Sequence, residues 1–134
     1  MKIVRDALLA LVLLAIPAAA GATTDDLRSV AGMQSHNSAL LVFAPSLSDP
    51  RLIRQHAIFA QLAVQAARHD LLFVQIDPTR VIGSHDTSRA LHRRFQVPPD
   101  TFRVILINKN GKMVASAVAP VAGSAIIRRL DAPN

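Results

Sequence analysis

The stretch ALLVFAPSLSDPR, residues 39–51, decides the fold. Its first six residues, 39–44, are all apolar, which is typical of a strand covered on both faces by helices. Pro45 ends that strand. Asp49 and Pro50 then favour a helix start, because an aspartate can accept hydrogen bonds from free helical amides and proline fits the first helical position. The stretch therefore predicts a buried strand followed directly by a first helix.

The first helix is predicted to run to about His69. At 100° per residue, two neighbouring stripes of apolar side chains form a wide inward face. The first stripe contains Ile53, Ala57, Ala60, Val64 and Ala67, and the second contains Leu52, Phe59, Ala63 and Ala66. Two residues break the pattern, since Ile58 falls in the polar face and His56 falls near the middle of the apolar face.

The rest of the chain alternates between strands and helices. Residues 71–77 predict a second buried strand, and a short helix capped by Asp86 or Thr87 follows it. Asn110-Gly111 joins two further strands as a hairpin, and a last helix begins at Gly123. The order β-α-β-α-β-β-α predicts an α/β domain with a four-stranded mixed sheet and helices on both faces. This is the order of the thioredoxin-like fold.

The N-terminal segment predicts export. Lys2 and Arg5 precede an apolar run at residues 7–20 that ends in small residues, the pattern of a secretory signal peptide. The run is shorter than the roughly 20 residues that span a bilayer, so we expect no stable membrane anchor. An uncleaved anchor remains the alternative. We thus expect a signal peptide at 1–22, a polar lead-in at 23–37 and a folded domain at 38–134 in a periplasmic or secreted protein.

Composition excludes several classes of function. The 134 residues contain no cysteine, which rules out disulfides, thiolate metal sites and dithiol oxidoreductase activity. The chain has 12 Arg, 3 Lys, 9 Asp and no Glu, and its formal net charge is +6. In an exported protein such a charge indicates either solubility or a partner that is an anionic surface or an acidic protein. Only five phenylalanines supply aromatic rings, so we expect no nucleic-acid partner.

Two stretches of the chain resemble one family. The first is LVFAP at residues 41–45 with DPR at 49–51, and the second is FQVPPDTFRVILI at residues 95–107, which leads into Lys109-Asn110-Gly111. They resemble a family of bacterial exported domains of unknown function, similar to domains in extracellular sushi-repeat proteins of animals. The resemblance covers about residues 38–131. It implies a thioredoxin-like fold without the redox cysteines and implies no particular mechanism.

Histidines and serines supply the candidates for chemistry. His85, Asp86 and His92 are the candidate metal ligands, because a separation of seven places the two histidines on one helical face. Ser46 and Ser48 lie where the first helix begins, but no Gly-x-Ser-x-Gly motif surrounds them. A histidine-based metal-binding protein or a hydrolase is therefore the alternative function.

An interaction surface is the leading interpretation. It consists of Ser46, Ser48, Arg51, Arg54 and Ile58, which together form a basic and apolar patch at the start of the first helix. The sequence predicts no cofactor and no catalytic residue. We therefore expect a non-redox binding or interaction module whose partner is a protein or an anionic surface.

Overall fold

The computed structural model describes residues 28–133, so the predicted signal peptide lies outside the described residues. A 3-10 turn at Ala31–Met33 precedes five strands and four helices. The strands are β1 (Ser38–Phe43), β2 (Leu71–Ile76), β3 (Val81–Ile82), β4 (Arg103–Ile107) and β5 (Met113–Ala117). The helices are α1 (Pro50–Ala60), α2 (Ala63–Arg68), α3 (Ser88–Phe95) and α4 (Gly123–Asp131).

The five strands form one mixed sheet in the order β3-β2-β1-β4-β5. β1 lies at its centre, parallel to β2 and antiparallel to β4. β3 and β5 are antiparallel edge strands. Every residue of β1 is buried, which confirms the prediction made from its continuous apolar run.

Helices cover both faces of this sheet. Alternate residues of β1 point to opposite faces, so Leu41 and Phe43 join the core beneath α3. Leu40 and Val42 join a second core beneath α1, α2 and α4. The molecule is therefore a mixed α/β domain with two hydrophobic layers that share the central strand.

The prediction of four strands is wrong, because β3 adds a fifth. After β2 the Asp77 carboxylate accepts hydrogen bonds from the amides of Thr79 and Arg80, which turns the chain back beside β2. Gly83 then adopts a positive φ of 105° close to the Phe73 carbonyl oxygen. A two-residue strand fits between these two features, and two residues are too few to show an alternating pattern in the sequence.

The predicted continuous first helix is also wrong, because the helix breaks between α1 and α2. Leu62 is buried at this break, and its amide donates to the Phe59 carbonyl oxygen in a tight turn. The second predicted stripe supplies the core residues Leu52 and Ala66, whereas the first stripe faces solvent. Ile53 and Val64 of that first stripe are 57% and 64% exposed.

Gln55 explains the orientation of α1. This side chain is 0% exposed, and its Nε2 donates to the Val121 carbonyl oxygen at 3.0 Å. The Val121 amide donates in return to the Gln55 Oε1 at 2.7 Å. A glutamine therefore occupies a core position of the helix, because it pairs with the backbone of the segment that leads into α4.

The lead-in contributes to the core as well. Val30 and Met33 are buried beneath the α3 face of the sheet, and the Val30 amide donates to the Asp86 carboxylate at 2.7 Å. Gly111 has a positive φ of 81° in the hairpin, as the Asn-Gly dipeptide predicts. Within residues 28–133, no helix has the length and apolar character needed to cross a membrane.

Candidate functional site

The carboxyl ends of the two parallel strands lie at one edge of the sheet, which we call the loop edge. β1 ends there at Phe43, β2 ends at Ile76, and antiparallel β4 begins beside them at Arg103. Ligands commonly bind outside the carboxyl ends of parallel strands in open α/β sheets. The loop edge is therefore the first place to look for a binding site.

The loop between β1 and α1 is held by its own hydrogen bonds. The hydroxyls of Ser46 and Ser48 lie 2.8 Å apart and bond to each other. Asp49 caps α1 by accepting from the Arg51 amide at 2.8 Å, and the Arg51 guanidinium binds both oxygens of the same carboxylate. The hydrogen bond from the Arg51 side chain holds the pKa of Asp49 below its usual value. The amino terminus of α1 is thus already paired with a carboxylate.

The structure separates the members of the predicted interaction surface. Arg51 is directed to Asp49 and to the Phe102 ring, whose centroid lies 4.9 Å from the guanidinium carbon. Arg54 and the half-buried Ile58 instead line a groove of about 470 Å³ that runs between α1 and the start of α4. Ser46, Ser48 and Arg51 do not line this groove.

A second groove follows α3 at the loop edge, and we call it the α3 groove. Its volume is about 510 Å³. The Thr87 hydroxyl caps the helix by accepting from the Ala90 amide. A spacing of four residues then aligns Ser88 with His92 and Arg89 with Arg93 in two adjacent rows. The lining consists of Pro78, Ser88, Arg89, His92, Arg93, Val97 and Pro99.

His92 brings a buried nitrogen to this groove. Its Nδ1 lies 2.8 Å from the Ser88 carbonyl oxygen, so Nδ1 carries a proton and donates it there. The ring packs edge-on against Phe43 with 5.1 Å between centroids. Its Nε2 is buried, and no atom of residues 28–133 forms a hydrogen bond with it. The imidazole is thus held in place by Ser88 and Phe43.

Arg89 and Arg93 carry charge that the described residues do not neutralise. The salt bridges within residues 28–133 involve Asp49, Asp70 and Asp131, and none of them includes either arginine. A guanidinium presents a planar set of donors that matches carboxylate and phosphate oxygens. The groove therefore has the chemistry of an oxyanion site.

The sequence does not predict the α3 groove. Of its lining residues, only His92 is predicted for a site, as a candidate metal ligand. The signal that could have found the groove is the spacing of four that Arg89-Arg93 and Ser88-His92 share on one short helix.

Asp77 is the acidic residue beside Ser88, and its charge is satisfied locally. Its carboxylate accepts from the amides of Thr79 and Arg80 and from the Thr79 hydroxyl, each within 2.9 Å. Burial opposes ionisation of Asp77, but these hydrogen bonds outweigh it and hold its pKa below the usual value. The carboxylate therefore belongs to the turn that follows β2.

The candidate metal ligands have separate roles. Asp86 accepts hydrogen bonds from the Val30 amide and from the Ser84 hydroxyl at 2.9 Å. His85 is exposed, and His92 is held by Ser88. No three histidine, aspartate or glutamate side chains within residues 28–133 gather into a group that could hold a metal ion.

Comparison with known proteins supports the fold and the family. A solved structure titled "Structure of a malarial protein" is 18% identical in sequence, with a TM-score of 0.50, and the match covers 72% of this chain and 100% of that chain. At this identity the likeness shows the fold alone. No protein with a curated description matches the chain. The family described as "Domain of unknown function (DUF4174)" matches residues 29–133. The chain therefore belongs to the DUF4174 family.

Proposed function

We propose that this chain is an exported, cysteine-free domain of thioredoxin-like arrangement that binds an oxyanion ligand in the α3 groove and performs no dithiol chemistry. The observation that carries the proposal is the pair Arg89 and Arg93, which form no salt bridge within residues 28–133, beside the buried and unpartnered Nε2 of His92. A carboxylate or phosphate group fits the planar donors of the two guanidinium groups.

The sheet supports the thioredoxin-like part of the proposal. Without the short strand β3, the strand order is β2-β1-β4-β5, in which only β1 and β2 are parallel. Helices lie on both faces, as the predicted element order requires. In thioredoxins a Cys-x-x-Cys pair lies where the first of these strands meets its helix, and here that loop reads Ser46-Leu47-Ser48-Asp49.

The β1–α1 loop is a weaker anion site than the α3 groove. Asp49 already occupies the amino terminus of α1, and an approaching anion would meet this carboxylate. Arg51 is bound to the same carboxylate. An anion should therefore bind more tightly in the α3 groove, where the arginines have no such partner among residues 28–133.

A hydrolase that uses Ser88 and His92 is disfavoured by the direction of their hydrogen bonds. The Ser88 hydroxyl donates to the Asp77 carbonyl oxygen, so its proton is already committed. The Nδ1 atom of His92 donates to the Ser88 carbonyl oxygen and has no free lone pair to accept the hydroxyl proton. Both side chains therefore act better as fixed groups in a binding site than as a nucleophile and its base.

Titration with inorganic phosphate tests the function. ¹⁵N-labelled protein is titrated with sodium phosphate while sodium chloride keeps the ionic strength constant. We expect shifts in the backbone amides of α3 and of Val97, since the two residues that follow Val97 are prolines without an N–H. The double variant Arg89→Gln with Arg93→Gln should weaken the affinity at least tenfold, which corresponds to about 1.4 kcal/mol.

A charge-matched control separates this groove from the predicted interaction surface. Arg51→Gln with Arg54→Gln removes the same two charges from the start of α1 and should leave phosphate affinity within about twofold. Loss of binding in this control, with binding retained in the α3 variant, would place the anion at the α1 surface and overturn the α3 site. Equal weakening in both variants would show that only net charge matters.

Export has a separate test. When the protein is produced from its full sequence in a bacterium, the form recovered from the exported fraction should begin near residue 23, as shown by intact mass. A full-length protein retained in the cytoplasm would refute the export proposal.

A further inference from the structure

A cavity of about 200 Å³ lies on the face of the sheet opposite the α3 groove, between α4 and strands β4 and β5. We call it the α4 cavity. Its lining consists of Leu40, Val104, Leu106, Ala115, Ser116, Ala117, Val121, Ala125, Ile126 and Arg129. The volume is smaller than the roughly 300–1,000 Å³ of sites that hold drug-sized molecules, so its ligand would be small.

Small side chains keep this cavity open. Ala115 and Ala117 of β5 and Ala125 of α4 stand where larger residues would fill the space. The opposite wall consists of core residues, since Leu40, Leu106 and Ile126 are each at most 1% exposed. An empty apolar cavity destabilises a protein, and a ligand that fills it recovers the lost contacts.

Arg129 gives the cavity its one charged lining residue. This side chain belongs to the last turn of α4 and is exposed, in contrast to the buried wall. The nearby Asp131 instead binds the His69 Nε2 at 2.8 Å. No carboxylate within residues 28–133 forms a salt bridge with Arg129. An apolar cavity thus adjoins a cation that forms no salt bridge in the described part of the chain.

We propose that the α4 cavity binds a short straight-chain carboxylic acid, with its tail in the cavity and its carboxylate on Arg129. An apolar cavity of roughly 150 Å³ can hold benzene, so a slightly larger one takes a tail of about six to eight carbons. A carboxylate complements the guanidinium, whereas an amine would be repelled by it. This site is separate from the oxyanion site of the α3 groove and does not depend on it.

Titration with octanoate, 1-octanol and octylamine tests this proposal on the purified protein. Octanoate should shift the amides of Ala115, Ala117 and Ala125 and raise the melting temperature, because it binds the folded state. Octanol should bind at least tenfold more weakly than octanoate, and octylamine should bind more weakly still. Absence of octanoate binding at 10 mM, about a thousandfold above a dissociation constant of about 10 μM, would overturn the proposal.

Matched variants test the two halves of the site. Arg129→Gln should weaken octanoate at least tenfold and leave octanol within about twofold, while the neighbouring exposed Arg128→Gln should change neither. Ala117→Leu should block both ligands by filling the cavity, and Ala125→Val provides a second filling variant if the first fails to fold. A folded filling variant that binds octanoate as well as the wild type would refute the cavity as the site.

Discussion

Replacement of Gln55 by leucine should destabilise the domain strongly, although leucine is the more apolar side chain. The change removes both hydrogen bonds to Val121, at 3.0 and 2.7 Å, and leaves the Val121 amide and carbonyl without these partners. An unpaired buried polar group costs about 1–3 kcal/mol. Because Val121 is only half-buried, we expect the lower part of that range for each group, or about 2–4 kcal/mol in total.

Urea denaturation measures this loss. At a slope of about 1.5 kcal/mol per molar urea, a loss of about 3 kcal/mol lowers the midpoint by about 2 M. Hydrogen exchange of the Val121 amide should also accelerate, because its acceptor is gone. Gln65→Leu is the matched control, since Gln65 is exposed on α2 and the same chemical change there should cost less than about 0.5 kcal/mol.

Gln55→Glu sharpens the same test. An ionised glutamate places a second oxygen against the Val121 carbonyl oxygen, whereas a protonated one can donate to it as Nε2 does. Burial then raises the pKa of this glutamate in the folded state, so the variant should gain stability as the pH falls toward 4. A loss below about 0.5 kcal/mol for Gln55→Leu, or no recovery of Gln55→Glu at low pH, would refute the role given to this side chain.

Three further changes have defined outcomes. Gly83→Ala should cost more than about 2 kcal/mol, because φ is 105° and the added Cβ would lie 2.6 Å from the Phe73 carbonyl oxygen; an unchanged denaturation midpoint would contradict this. Asp77→Asn should cost about 1–2 kcal/mol at pH 7. Because the pKa of Asp77 is lowered, its contribution is complete above about pH 4 and is lost as the pH falls through the folded value, so wild type and variant should converge in acid. Ile58→Asp should lower the free energy of unfolding by about 1–2 kcal/mol, because it places a charge at a half-buried position in the groove beside α1. Ile53→Asp, at an exposed position of the same helix, should lower it by less than about 0.5 kcal/mol. Equal losses in the two variants would contradict the observed orientation of α1.

The features that sequence predicts well are those with a local cause. Residues 39–44 form a continuous apolar run, and the structure buries all of them. The Asp49 cap of α1 and the Asn110-Gly111 turn depend on residues within a few positions of each other, and both are confirmed. Local chemistry is sufficient for the cap and the turn, because the partners of their hydrogen bonds are close in the chain.

The features that sequence misses depend on distant partners. Gln55 looks like a surface residue until Val121, 66 positions later, provides a donor and an acceptor for it. Gln55 is buried on the same side of the helix as Leu52 of the second stripe, and Ile53 of the first stripe is therefore turned toward solvent. The error in the predicted inward face therefore includes the burial of Gln55, whose pairing with a distant backbone segment no local pattern contains.

The candidate sites also differ in whether their residues are close together or far apart in the sequence. The predicted surface at the start of α1 consists of residues close together in the sequence, and the fold divides them between the Asp49 cap and the groove beside α4. The α3 groove instead joins one helix to prolines that follow β2 and precede β4. Only the folded sheet brings those segments together at the loop edge.

The central strand β1 explains how one small domain can present two sites of different chemistry. Leu41 and Phe43 support the α3 face, where His92 packs on Phe43, and Leu40 forms part of the wall of the α4 cavity on the other face. Because side chains alternate along a strand, a substitution on one face leaves the packing of the other face in place. The cationic groove and the apolar cavity are thus built from separate sets of side chains on a shared backbone. This arrangement predicts that a substitution which abolishes ligand binding at one site leaves ligand binding at the other site intact.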